Sequence, residues 1–380
     1  MALNPNSSIP AMLRARVKAH AAEIVLRKKD RGIWKAVTWA ELGTRVAEAA
    51  MWLRAIGLRP GDVACVLAET RPEWVAIDLA ILECGGISGG IDPADDAATV
   101  GRRLRAAGAT TLFVQNEEQL DKALMVRDAC PALQRIVILD MHGLRDFADA
   151  RCEGFQEFLV NGGQPGPHAD AAVVEADQAA VLLFPPATGD KGTTLTHAAV
   201  LRLVQDAVAT LGLRAADERL AILPMSDVME RIFGLYVALY SGAISNYMES
   251  PNTVIENLRE VKPSILGTDS PFWERLHEQT NQSVKRATSV QRLLYGWALR
   301  ASQLGGVLAG LARLTVLRAV RRDLGFSRLR LAYVDAAVTP EVQRWAAALG
   351  ISIRSIDSRT AAGTATNAGM NARSEKAYTT

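Results

Sequence analysis

The sequence predicts an α/β protein of two α/β subdomains, each a parallel or mixed sheet covered by helices. Three observations carry this. The chain has 380 residues, 49% hydrophobic and 22% charged, enough apolar material to fill more than one core. Short β-branched apolar runs alternate with stretches of helical period along most of its length. The alternation lapses at residues 141–176, where Gly, Pro, Asp and His cluster as they do in linkers. The expected units are therefore 1–176 and 177–360, with 361–380, small, polar and non-periodic, as a frayed tail.

The elements follow in order. Residues 1–30 read as a surface lead-in and a helix. Thr38 and Glu41 form a capping box for a helix carrying Leu42, Val46, Ala49 and Leu53, stopped by Gly57. VACVLA at 63–68 has the continuous apolar character of a strand buried on both faces. A second box, Thr70 with Glu73, opens a helix bearing Trp74, Ile77 and Ile81, and a strand then runs to Ile91. Helices at 95–107 and 117–128 alternate with strands at 111–115 and 135–140. Beyond the linker, strands are expected at 179–184 and near 219–224, 243–248, 264–268, 330–335 and 351–356. Trp34, Trp39, Trp52 and Trp74 fall near helix faces and are assigned to the core.

Several function classes are excluded by composition. A net charge of +2 makes no case for nucleic acid. The four cysteines are scattered, without a CxxC pair or a neighbouring His at ligand spacing, so neither structural zinc nor a disulfide scaffold is expected. No basic-then-apolar leader and no run of about 18 uncharged apolar residues occurs, which points to the cytoplasm. Residues 285–330 hold ten basic residues (Lys285, Arg286, Arg292, Arg300, Arg313, Arg318, Arg321, Arg322, Arg328, Arg330) against one acid, Asp323, interleaved with Leu and Val. This is either a helical insertion with a solvated basic face, the reading the sequence favours, or a contact with the inner membrane surface.

The richest candidate for chemistry is residues 184–200, between a strand and a helix, where open α/β sheets bind ligands. Thr188, Gly189, Lys191, Gly192 and Thr193 could bring backbone amides and a positive charge to phosphate oxygens. The loop does not fit GxxxxGK[ST], and on its composition alone it reads first as an ordinary surface turn. His197, directly after it, reads as a capping or packing residue at a helix start rather than a base.

Many ordered segments together resemble the adenylate-forming (AMP-binding) acyl-CoA synthetases, long-chain fatty acid–CoA ligases in particular. They are 34–42, 53–93, 113–124, 177–184, 223–250, 261–276, 329–351 and 355–363. The resemblance implies the large N-terminal part of such an enzyme. It implies ATP and Mg2+ as cofactors, CoA as co-substrate, and a fatty acid or other carboxylate as substrate. Departures are as informative. The family's Thr-Ser-Gly-Thr-Thr-Gly-x-Pro-Lys-Gly loop has become Pro185 to Gly192, with Asp190 expected to repel phosphate. Asp227 stands at the family His, although Glu230 and Arg231 remain. Ala336 lies in the adenine-side stretch, and Thr360 occupies the position of the magnesium-serving Glu, where a neutral hydroxyl is a poor ligand. No catalytic residue and no metal ligand set can be assigned. The family's small C-terminal domain is not found in the sequence and is expected, if used, from a separate chain. The expectation is a ligase-like protein with impaired carboxylate activation, or a non-catalytic relative that binds an acyl chain, a nucleotide or a protein.

Overall fold

The computed structural model describes residues 7–144, 147–155, 173–184, 186–304, 310 and 315–356. Its strands in chain order are β1 Ile24–Asp30, β2 Ile33–Thr38, β3 Val63–Leu67, β4 Ile87–Ile91, β5 Thr111–Val114, β6 Arg135–Ile138 and β7 Cys152–Gly154. They continue with β8 Ala179–Leu183, β9 Thr193–Thr196, β10 Glu218–Ala221, β11 Ile244–Tyr247, β12 Ile265–Thr268, β13 Leu331–Val334 and β14 Ser352–Ser355. The first sheet has the order β7-β6-β5-β3-β4-β8-β9 and is parallel except for β9. The second is β10-β11-β1-β2 and the third, all parallel, is β12-β13-β14.

The β3 run is apolar throughout because both of its faces are covered. Ala64 and Val66 point into the core shared with the helices Trp39–Ala55, Pro72–Glu83 and His197–Leu211. Cys65 and Leu67, one residue out of phase, enter the core beneath the helices Ala97–Ala107 and Glu117–Val126. A third core joins the β12-β13-β14 sheet to the helices Ser270–Arg286, Ser289–Leu304 and Pro340–Ala348. Parallel sheets need this two-sided cover, which is why helices alternate with strands.

The expected strands from 63 to 356 are present, and the Thr38/Glu41 capping box forms as read. Four strands were not foreseen. β1 and β2 form a hairpin through Arg31 and Gly32, both at positive φ (50° and 78°), the backbone of a tight two-residue turn. Their polar residues hid them: β1 reads IVLRKKD, with Lys28 paired to Glu73 at 2.5 Å and Lys29 to Glu260 at 2.7 Å. Trp34 lies on β2, not on a helix face, and donates Nε1 to Glu260 at 2.8 Å. β7 sits inside the expected linker and pairs with β6. The segment expected to open a second unit at residue 177 instead supplies β8 and β9 to the first sheet, β8 lying parallel to β4.

The second capping box does not form. The residue before a proline is kept out of the α region, so Arg71 is extended (φ −151°, ψ 157°) and becomes the N-cap, and the helix begins at Pro72. Thr70 turns away and donates its hydroxyl to the Leu223 carbonyl at 2.7 Å. That bond ties the helix start to the stretch before Asp227.

Candidate active-site cleft

Each segment singled out in the sequence leaves the carboxyl end of a parallel strand. Asp92 follows β4, the loop 184–192 follows β8, Leu223–Asp227 follows β10, Asp269 follows β12, and Asp335 and Ala336 follow β13. Ligands bind at this edge of open α/β sheets because the strand ends splay apart there.

Backbone geometry shapes the loop. Pro186–Lys191 forms a tight turn broken at Gly189 (φ 56°, ψ −143°). Gly192 has φ 68°, and a Cβ there would lie 2.7 Å from the Leu183 carbonyl oxygen, so the β8–β9 hairpin closes only on glycine. Lys191 is exposed and Thr193, half-buried, opens β9. Thr188 lies in the turn itself. Asp190 corrects the expectation of bare repulsion. Its carboxylate accepts from Arg102 Nε at 2.7 Å, with Arg103 Nε at 3.9 Å, both on the helix Ala97–Ala107. Asp190 in turn holds the Arg102 guanidinium above its ordinary range. Its charge is compensated within the fold.

Asp227 stands differently. It caps the short helix Val228–Glu230, accepting from the Met229 amide at 2.6 Å. Its side chain is exposed, yet it lies close to the body of the protein. Desolvation there pushes the carboxyl above its usual range, and the charges of Asp335, Asp269 and Asp92 push it further. Asp335 accepts from the Ser270 amide at 3.1 Å, and the Ala336 carbonyl accepts from Ser270 Oγ at 2.5 Å, which fixes that side of the cleft. Four carboxylates thus share one field. Among the described residues, no three His, Cys, Asp or Glu side chains are close enough to hold a metal ion. Thr360, at the position of the magnesium-serving Glu, lies outside the described residues.

Glu230 and Arg231 are not cleft residues. Glu230 is buried and accepts from Arg219 at 2.5 Å. Arg231 is buried on Asp78 and on the Ser88 carbonyl (2.9 Å), its guanidinium 4.7 Å from the centre of the Trp74 ring. The turn Arg231–Tyr236 is a π-helix. Residues five apart lie about 140° apart on an α-helix but share a face on a π-turn. Both Arg231 and Tyr236 accordingly end on Asp78, Tyr236 through its hydroxyl at 2.7 Å. Burial raises the Tyr236 phenol well above its ordinary range, and the Asp78 charge adds to this. Gly90 completes the anchor: a Cβ there would stand 3.0 Å from Ser226 Cα, so its absence lets Pro224–Asp227 lie against β4. The two ion pairs fix the segment that carries Asp227. Asp78, alone in the apolar helix PEWVAIDLAILE, was the sequence signal for this network.

His197 is fully buried and packs as expected. Its Nδ1 accepts from the Ile9 amide at 3.4 Å, and desolvation drives its pKa down to about 4, with Asp78 acting weakly the other way. The helix cap is Thr196, which accepts from the Ala199 amide at 3.2 Å.

The sheet order, the loop after β8 and the fixed segment before Asp227 define the large N-terminal part of an adenylate-forming enzyme. A sequence profile described as AMP-binding enzyme matches residues 13–357, and the chain belongs to that family. Mouse long-chain-fatty-acid–CoA ligase ACSBG2 is 22% identical over 309 residues, 77% of this chain and 45% of the relative. Human long-chain-fatty-acid–CoA ligase ACSBG1 is 24% identical over 360 residues, 87% of this chain and 48% of the relative. The chain thus spans about half the length of the curated relatives it matches. Among solved structures, the A domain of carboxylic acid reductase from Segniliparus rugosus, in complex with AMP and a co-purified carboxylic acid, superposes with a TM-score of 0.73. That match is at 16% identity and covers 91% of this chain and 59% of that one. Among the described residues, no helix is long and apolar enough to cross a membrane.

Proposed function

We propose that this protein is an acyl-CoA-ligase-like member of the family that binds a fatty acid or related carboxylate and has a weakened ATP-dependent activation step. In a complete reaction of this class the carboxylate oxygen attacks the α-phosphorus of ATP, pyrophosphate leaves, and the CoA thiol then displaces AMP from the acyl-adenylate. The observation that carries the reading is the acidic cleft, where Asp227, at the family His, lies in the field of Asp92, Asp269 and Asp335. A triphosphate entering it meets like charge at short range. Thr188, Gly189, Lys191, Gly192, Thr193 and Ala336 are the residues proposed to line the nucleotide side. The rigid anchor beneath Asp227 supports a preserved ligand cleft, since the two buried ion pairs hold it in shape without ligand.

A second reading, a non-catalytic relative that binds an acyl chain, a nucleotide or a protein partner, draws on the same four acids. Carboxylate-dependent ATP–pyrophosphate exchange across a panel of fatty acids separates them. Slow exchange that depends on the acid supports the first reading. Acyl-chain binding with no exchange at any acid supports the second.

A further inference from the structure

We propose that the outer face of the helices Ser289–Leu304 and Val316–Asp323 docks on the surface of an anionic lipid bilayer. Among the described residues eight large apolar side chains are exposed, and four of them are Val290, Leu293, Leu294 and Trp297. Their spacing of three, four and seven residues puts them in one stripe of the first helix. That helix cannot turn the stripe inward, because Tyr295, Ala298 and Ala301 are already buried on another side. Tyr295 is pinned there, its hydroxyl accepting from Trp345 Nε1 at 3.0 Å. A tryptophan among exposed leucines suits the boundary between headgroups and acyl chains.

Charge selects the partner. Lys285, Arg286, Arg292, Arg300, Arg318 and Arg322 are exposed along the same stretch. The exposed acid among them, Asp323, lies 3.5 Å from Arg322, and Glu278 on the preceding helix is engaged by Gln282 at 2.9 Å. The helix Val316–Asp323 separates two hollows. One, of about 620 Å³, is walled largely by apolar groups including Leu276, Tyr295 and Val320, and by Leu294 from the stripe itself. The other, of about 600 Å³, is walled by Arg318, Arg321 and Arg322. Apolar surface beside a cationic hollow matches acyl chains beneath anionic headgroups. A symmetric pairing of two copies through this face would set arginines against arginines. Arg321 belongs to the fold rather than to the contact: its guanidinium serves the carbonyls of Phe326 (2.9 Å) and Leu329 (2.8 Å). The proposal does not depend on the chemistry of the cleft.

Co-sedimentation of the 380-residue chain with vesicles tests it. The chain should sediment with vesicles containing phosphatidylglycerol, stay in solution with phosphatidylcholine alone, and release near 1 M salt, where the Debye length is about 3 Å. Arg318→Gln with Arg322→Gln should lower partitioning by about fivefold per arginine. Leu293→Cys carrying an environment-sensitive fluorophore should shift to the blue on anionic vesicles, a readout that needs no destabilising change. No sedimentation with anionic vesicles at low salt would overturn the proposal. So would a wild-type dimer that Trp297→Ser converts to monomer, because the stripe would then be a protein interface.

Discussion

Replacing Asp78 by Asn should unfold the protein far more readily than any surface change. The carboxylate of Asp78 is buried and receives Arg231 and the Tyr236 hydroxyl. Asn keeps the volume and one acceptor but leaves the Arg231 guanidinium charged and fully buried, with only neutral partners such as the Ser88 carbonyl and the Trp74 ring. Breaking a buried pair from one side costs about 3–5 kcal/mol. Removing both charges is a different matter, because no orphaned ion remains. Asp78→Asn with Arg231→Met should therefore recover most of the loss, within about 2 kcal/mol of wild type. Urea unfolding followed by far-UV circular dichroism reads both, through the midpoint at constant slope. A single variant within about 1 kcal/mol of wild type, or a double variant as unstable as the single, would refute the reasoning.

Three further outcomes follow from the same structure. His197, neutral in the fold with a pKa of about 4 against 6.5, binds its proton more readily once unfolded. Stability should fall as pH drops from 6.5 towards 4, level off below, and lose about 3 kcal/mol over that window. A His197→Gln variant should lack this component when the two stability–pH curves are subtracted. Gly192→Ala should cost about 2 kcal/mol, from the positive φ and the clash with the Leu183 carbonyl, seen as a lowered thermal midpoint. Asp227 has the opposite sign to His197: its raised pKa means that acidification neutralises it, so ATP affinity should rise as pH falls. Calorimetric titration at stepped pH checks this, and Asp227→Asn should flatten the dependence.

Much of the fold was legible because its strands are buried on both faces. VACVL, TLFV, AAVLL and LAYV are short apolar runs bounded by turn residues. The β1–β2 hairpin was not legible, since its strands carry lysines that pair across to Glu73 and Glu260, partners distant in sequence. The second capping box failed because the ring of Pro72 holds Arg71 in an extended conformation, which moves the N-cap one residue past Thr70. At the site, the loop was located by its position after a strand and Asp227 by the family resemblance. Their electrostatics were not, because the Asp190–Arg102 pair spans 88 residues and the field at Asp227 comes from three other strand ends. Glu230 and Arg231 looked like site residues and are anchors. Only the lone Asp78 in an apolar helix hinted at what they hold.

Titration of ATP into wild type and into Asp227→His tests the proposed weakening of triphosphate binding most directly. Two lost hydrogen bonds to charged groups, at about 1.5–3 kcal/mol each, place wild-type affinity at least about a hundredfold below that of a complete phosphate loop. Asp227→His removes one carboxylate from the group of four and should tighten ATP binding by about tenfold, roughly 1.4 kcal/mol. Micromolar ATP binding by the wild-type chain, unchanged by the substitution, would contradict the account.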